Sequence, residues 1–259
     1  MSSFIHETAI VNPNAKIGAD CYIGAYCIVG ENVTLADKVR LDSHIVIDGK
    51  TSIGVSTHVF PFVSIGLAPQ DLKFKGEETV VEIGARNQIR EFVTVHRGTL
   101  GGGGLTKIGD DNLLMAQAHV AHDCQIGNEV IMANAATLAG HVEIADRANI
   151  GAYSGVHQFC RVGLEAFVGG YSVVVKDAPP FAVIQGNHAK CYGLNRVGMK
   201  RRGYAKDVIE KLHHAYKLLL SSKLNTTQAV EKIREEITEC KEVDLLIDFI
   251  ETSKRGIVK

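Results

Sequence analysis

The chain has no excess charge of either sign: 28 Lys and Arg stand against 29 Asp and Glu in 259 residues, a formal charge of −1. No global field therefore points to nucleic acid. An N-terminal apolar segment of the secretory kind is missing, and no apolar run approaches the ~18 residues of a membrane span. The six cysteines form no CxxC pair. They read as buried, reduced thiols, and a cytoplasmic location is expected. A glycine run, Gly101 to Gly104, lacks the features of a phosphate loop: no Gly precedes Lys107, and no helical pattern follows. A mobile lid or a subunit contact is the expectation for it.

What the chain does have is a period of six. An aliphatic anchor falls at Val11, Ile17, Ile23, Val29 and on to Ile65, returns in the same phase at Ile83, Ile89 and Val95, then runs one residue out of phase from Ile108 to Val174. None of these anchors is polar. Helices repeat at 3.6 and strands at 2, so a strict six requires short strands separated by regular corners. Stacked coil on coil, they make a β-helix. Two residues before each anchor stands a small or β-branched residue, Cys21, Cys27, Cys124 and Cys160 among them, with Asn87 and Asn112 as polar exceptions. Positions i and i−2 share one strand face, so both columns should point inward. The glycine that often follows an anchor is expected to supply backbone freedom at the corner.

Two interruptions break the repeat. Residues 69–80 replace two hexads without changing phase and should bulge as a loop; Thr99 to Leu105 shifts the phase. The hexads stop at Pro179-Pro180, where ladder donors are lost. Beyond Lys200 the spacing becomes helical: Val208, Ile209 and Leu212, then a helix capped at Asn225-Thr226, then Val243, Leu246 and Phe249. The expected domains are a β-helix over 1–190 and a small α-helical domain over 191–259.

Chemistry should lie with the histidines. His122, His141 and His157 fall just past their anchors, so none points inward, and they are separated by 19 and 16 residues. At 18 residues per three-sided coil, each step is nearly one rung of about 4.8 Å. The three should rise along one edge, with His119 half a hexad before His122. Such a stack suits either acid–base catalysis near neutral pH or a zinc site of the kind found in γ-class carbonic anhydrases. Asp123, next to His122, could orient a base.

Several segments together break that tie. The runs Ala118 to Cys124, Leu138 to Val142, Val156 to Phe159, Gln185 to Ala189 and Lys200 to Gly203, with Asp71-Leu72-Lys73 and Ile89 to Gly98, closely resemble the UDP-N-acetylglucosamine O-acyltransferase family of lipid A biosynthesis, almost end to end. The resemblance implies a three-sided, left-handed parallel β-helix. It implies transfer of a (3-hydroxy)acyl chain from acyl carrier protein to the glucosamine 3-hydroxyl, without cofactor or resident metal. His122 would be the general base, Asp123 its partner, and the Gly140 N–H the oxyanion donor. His119, His141, His157 and Gln158 would line the nucleotide-sugar site, with Asp71 and Lys73 reaching in from the first loop and His188 also contacting substrate. Asn195 and Arg201 would approach the nucleotide, and Arg202 its phosphate or the carrier. Gly170 would lie along the acyl groove. Some relatives carry an acid where this chain has Val197, so that contact is not carried over. A homotrimer with sites between neighbouring prisms is implied, with neither nucleic acid nor stable membrane insertion. Readings left open are the carbonic anhydrase and a related N-acyltransferase acting on a 3-amino sugar. The latter normally carries an extra N-terminal domain, whereas hexads here start at residue 11.

Overall fold

The computed structural model describes residues 3–221 and 223–259. The hexads form strands of mostly two residues each, distributed in strict rotation over three parallel sheets. Sheet A has eleven strands, from Phe4–Ile5 to Lys190–Leu194. Sheet B has nine, from Ile10–Val11 to Val173–Val174, and sheet C eight, from Lys16–Ile17 to Arg161–Val162. Together they enclose a triangular prism. Among the described residues its one antiparallel pairing is at the end, between Ala182–Gln185 and Lys190–Leu194.

Register shows how the interruptions are absorbed. Tyr22 pairs with Arg40 across one regular coil, whereas His58 pairs with Gln88 and Gln88 with Leu113 where the two insertions intervene. Both insertions leave the corner joining sheets B and C, between Ser64–Leu67 and Val80–Ile83, and between Thr94–His96 and Leu105–Ile108. The sheets continue undisturbed, because extra chain at a corner breaks no ladder.

From Cys21 onward both inward columns are buried, including Ile23, Leu41, Val120 and Leu138 from the anchors and Cys27, Cys124, Ala136 and Cys160 from the small-residue column. The polar exceptions make their own ladder. Thr57 Oγ1 donates to the Gly84 carbonyl and accepts from the Asn87 N–H. Asn87 Oδ1 accepts from the Asn112 N–H (2.8 Å), and Asn112 Oδ1 from the Val130 N–H (2.7 Å). The side-chain oxygens thus satisfy backbone donors one rung at a time inside an apolar core, while Asn112 Nδ2 finds no partner among the described residues.

The corner glycines act differently from expectation. At most corners the left-handed residue is the third after the anchor and is not glycine, as at Tyr26 (φ 58°), Phe62 (φ 63°), Asp123 (φ 60°) and His141 (φ 63°), while after Ile47 it is Gly49 (φ 62°). Glycine directly after the anchor is required by close stacking instead. A Cβ on Gly24 would lie 1.5 Å from the Asp42 carbonyl oxygen of the next rung.

Four helices follow: α1 (Arg196–Arg201), α2 (Lys206–Ser221), α3 (Thr226–Glu236) and α4 (Lys241–Glu251). The sequence pattern anticipated α2 to α4 but not the six-residue α1. Tyr216 of α2 donates its hydroxyl to the Pro180 carbonyl, and Arg161 stacks on Phe249 of α4 at 4.3 Å. The helices are thereby fastened to the C-terminal end of the prism. Among the described residues, no helix is long and apolar enough to cross a membrane.

Candidate active site

The corner between sheets B and C gathers the cluster of histidines expected from sequence. His122 and Asp123 follow the strand His119–Val120, and His141 occupies on the next rung the left-handed position that Asp123 holds below it. The His141 N–H donates to the His122 carbonyl at 3.0 Å. The two imidazoles meet edge to face, 5.1 Å apart. The third ring of the column is Phe159, stacked on His141 at 4.4 Å and 7°. His157 and Gln158 precede it on the same rung and are exposed, with His157 Nδ1 3.0 Å from the Gln158 carbonyl oxygen. The expected single edge is real, but the residue in register with His141 is Phe159, which lies a full 18 residues on and is likewise third past its anchor, whereas His157 lies 16 residues on and first past it.

Asp123 is enclosed, its side chain 0% exposed. Its Oδ1 accepts from the Thr99 N–H at 2.8 Å, and its Oδ2 from the Thr99 hydroxyl at 2.7 Å. The same Oδ2 lies 2.8 Å from His122 Nδ1. An ionised carboxylate only accepts, so Nδ1 carries the proton and Nε2 is left as the free base. The glycine run accounts for the enclosure. A Cβ on Gly102 would sit 2.1 Å from the Asp123 carboxyl carbon, and one on Gly98 2.8 Å from Oδ1. The second insertion is a cap closed over Asp123, held by Thr99, a residue with no distinguishing signal in the sequence.

Gly140 faces the free nitrogen. A Cβ there would fall 2.5 Å from His122 Cε1 and 2.7 Å from Nε2, so the imidazole occupies the volume any side chain would need. Gly140 is buried, and its N–H meets no acceptor among the described residues. A free base beside an unused backbone donor is the pairing that acyl transfer needs.

Around this pair the imidazoles are kept neutral. His96 is 6% exposed and packs edge to face on His119 at 5.0 Å. Burial, with help from His119 and His122, pushes its pKa down to about 4. Burial and then His122 lower His119, whose Nδ1 lies 2.7 Å from Thr94 Oγ1. Burial also lowers His141; Asp123 and Asp71 pull upward and His122 downward without reversing it. Asp71 in the first loop is therefore close enough to act on His141, and its Oδ1 accepts from the Lys73 N–H at 2.9 Å. His96 and Thr99 were not singled out from sequence. For His96 the available signal was its place within the Ile89 to Gly98 segment that resembles the family.

His122, Asp123 and His141 offer ligand atoms within 4.8 Å of one another. Yet Asp123 Oδ2 and His122 Nδ1 are at hydrogen-bond distance, shorter than the about 3.3 Å that two ligands on one tetrahedral zinc would keep. Both carboxylate oxygens are also occupied by Thr99 donors. The donor set fits proton transfer better than zinc.

The remaining expected residues lie elsewhere. Gly170 is at the corner between sheets A and B, and His188 in the turn of the terminal hairpin, where the Ala189 N–H extends sheet B through the Val173 carbonyl. Asn195, Arg201 and Arg202 line a cleft of about 560 Å³ with Phe167 and Val183 of sheet A. Sheet A is the side of the triangle opposite the B–C corner, so one chain does not bring these residues to His122. Asn195 caps α1, its Oδ1 accepting from the Gly198 N–H at 3.0 Å. Arg202 sits between Glu129 (3.6 Å) and Glu165 (3.8 Å), whereas Arg201 is exposed and has no partner among the described residues.

Residues 2–37 and 105–140 match the model of bacterial transferase hexapeptides (six repeats), so prism and site together define a hexapeptide-repeat transferase. Residues 177–258 match the second domain of UDP N-acetylglucosamine O-acyltransferase. The chain superposes on LpxA from Acinetobacter baumannii with a TM-score of 0.96 and 47% identity, covering 98% of this chain and 99% of the other. For the UDP-N-acetylglucosamine acyltransferase LpxA of Bacteroides fragilis the values are 0.97 and 40%, over 99% and 100%. For the UDP-N-acetylglucosamine O-acyltransferase of Moraxella catarrhalis they are 0.95 and 44%, over 98% and 99%. The chain belongs to the UDP-N-acetylglucosamine O-acyltransferase family.

Proposed function

We infer that the protein transfers a (3-hydroxy)acyl chain from acyl carrier protein to the 3-hydroxyl of UDP-N-acetylglucosamine, the first step of lipid A biosynthesis. The observation that carries the mechanism is the His122–Asp123 pair facing the side-chain-free Gly140. His122 Nε2 removes the proton of the sugar 3-hydroxyl as its oxygen attacks the thioester carbonyl. The Gly140 N–H receives the developing oxyanion; a donor of this kind contributes about 3–4 kcal/mol in other enzymes. On collapse the C–S bond breaks, and the imidazolium returns its proton to the leaving thiolate. Asp123 holds the reactive tautomer and stabilises the imidazolium. His119, His141, His157, Gln158, Asp71 and Lys73 bind the sugar and acyl groups around this centre.

We assign the active unit as a homotrimer. The outward column of sheet C holds Lys16, Glu82, Lys107, Glu143 and Arg161, whereas that of sheet B begins with Ile10 and Ile28, 66% and 44% exposed. Along the corner between sheets A and B rise the stacked, exposed rings of Tyr26, His44, Phe62 and Phe92, about 5 Å apart, and above them Tyr153 and Tyr171. Such an apolar ridge suits burial. Packing sheet B of one prism against sheet A of the next closes a threefold ring with that ridge at its axis and sheet C in solvent. The arrangement sets the B–C corner of one copy opposite Asn195 and Arg201 of its neighbour, completing a site that one chain leaves divided. Arg201, charged and unpaired, takes the diphosphate.

Two glycines support an acyl groove on the same side. A Cβ on Gly155 would meet nothing within 4 Å, and one on Gly170 only the Ala152 backbone, its carbonyl oxygen at 3.3 Å and its nitrogen at 3.9 Å. Neither has a positive φ, so the fold itself does not require glycine there. Room for a hydrocarbon chain passing from His141 towards His188 does. The six unpaired thiols accord with a cytoplasmic enzyme. The deciding experiment is incubation with UDP-N-acetylglucosamine and carrier protein loaded with acyl chains of several lengths, products being identified by mass spectrometry. Absence of a 3-O-acylated nucleotide sugar with every donor would end this reading.

A further inference from the structure

We infer that Glu165 is a positioning residue for nucleotide-sugar binding: it holds Arg202, and through it α1, so that Arg201 alone presents a free charge to the cleft beside sheet A. The inference rests on the assignment of Arg201 to the diphosphate.

Glu165 occupies the left-handed position (φ 54°) of the corner joining sheets C and A, where the two rungs below present Arg147 and Glu129. The corner itself asks for no particular side chain, since equivalent positions hold Lys38, Ser56, Arg86 and Asp111. Glu165 nevertheless is 4% exposed, and a buried carboxylate needs compensating charge. Arg147 Nε lies 3.0 Å from Oε1, and the Tyr204 hydroxyl donates to the same oxygen at 2.9 Å. Burial first, then Glu165, push the Tyr204 pKa up to about 12, so its phenol stays a donor. Oε2 accepts no hydrogen bond among the described residues, and the charge facing it is Arg202, 3.8 Å away.

Helix α1 spans six residues, too few to hold its own geometry in water. Its placement therefore comes from its attachments: the Asn195 cap, whose Nδ2 reaches the Glu165 carbonyl at 3.5 Å, the buried Met199, and Arg202 on Glu165. Adjacent guanidinium groups also repel. Pairing Arg202 with Glu165 and Glu129 quiets one of them and leaves Arg201 to meet an anion.

The test is Glu165→Gln, which keeps shape and removes charge. The expected result is a rise of tenfold or more in KM for UDP-N-acetylglucosamine, kcat within threefold of wild type, and an unchanged KM for the acyl donor. Calorimetric binding of UDP should weaken in parallel. Arg202→Ala should act in the same direction, and the double variant should be no worse than the poorer single one. An unchanged KM in either single variant, a fall in kcat alone, or additive losses would overturn the inference. If Glu165→Gln does not fold, Arg202→Ala decides by the same readings. A wild type that turns over beside an indistinguishable Glu165→Gln refutes this inference only; one that neither binds UDP nor turns over refutes the acyltransferase reading as well.

Discussion

Replacing Gly140 by alanine should disable the enzyme while leaving the prism intact. Gly140 has no positive φ, so alanine meets no backbone strain. The new methyl group would lie 2.5 Å from His122 Cε1, 2.7 Å from Nε2 and 3.1 Å from Nδ1, and the imidazole must move aside. Its tether to Asp123 is only 2.8 Å long, so the ring cannot yield without stretching that bond. A base displaced by about 1 Å costs about 100-fold, and disturbing the adjacent oxyanion donor adds to it. We expect kcat to fall by about 100- to 1,000-fold, roughly 3–4 kcal/mol of barrier. Stability should drop much less, because Asp123 keeps both Thr99 donors. Gly155→Ala is the control for folding, since its methyl group would meet nothing within 4 Å and should stabilise by about 0.4–1 kcal/mol. The assay is steady-state product formation with urea unfolding on the same preparations. A Gly140→Ala enzyme with kcat within threefold of wild type would refute the placement of His122 Nε2 as the base.

His122→Ala should fold as wild type, because the ring lies on an outer corner, yet lose nearly all acyl transfer; substantial turnover would defeat the assignment. Arg201→Ala should raise KM for the nucleotide sugar about tenfold or more with kcat largely kept, and an unchanged KM would remove it from the diphosphate site. His96 gives a pH signature. Its folded pKa of about 4 lies below the ordinary 6.5 of an unfolded histidine, so below 6.5 the unfolded chain binds the extra proton. Its contribution is complete above pH 6.5 and is lost as pH falls towards 4, on the order of 3 kcal/mol in all. Urea titrations at pH 7 and pH 5 should show this loss in the wild type and a smaller one in His96→Gln. Equal losses would mean that the proton goes elsewhere.

The repeat was legible because it is periodic and because inward positions tolerate only small or branched apolar groups. The first insertion was legible as two missing hexads and the second as a shift of phase, and the histidine edge as distances close to one coil. Finer placement failed where residue type was followed instead of position within the hexad. Following the histidines selects His157, 16 residues past His141, whereas a full coil of 18 and the corner geometry that carries Asp123 and His141 both select Phe159. Corner glycines were read for freedom of φ, while stacking distance is what demands them. Helix α1 was missed because six residues hold too little periodicity to register, and Arg202 looked free because Glu129 and Glu165 are remote in the chain.

A local pattern repeated many times suffices for the architecture, since each hexad meets nearly the same surroundings as the one before it. The sequence thus settled the prism, its breaks, its helical end and the edge that bears the histidines. Folding alone decided that the glycine run seals Asp123, that Thr99 secures it, and that Arg201 stands on the side of the triangle away from His122. Those outcomes depend on contacts between residues dozens of positions apart or on opposite sides of the prism, and no periodicity encodes them.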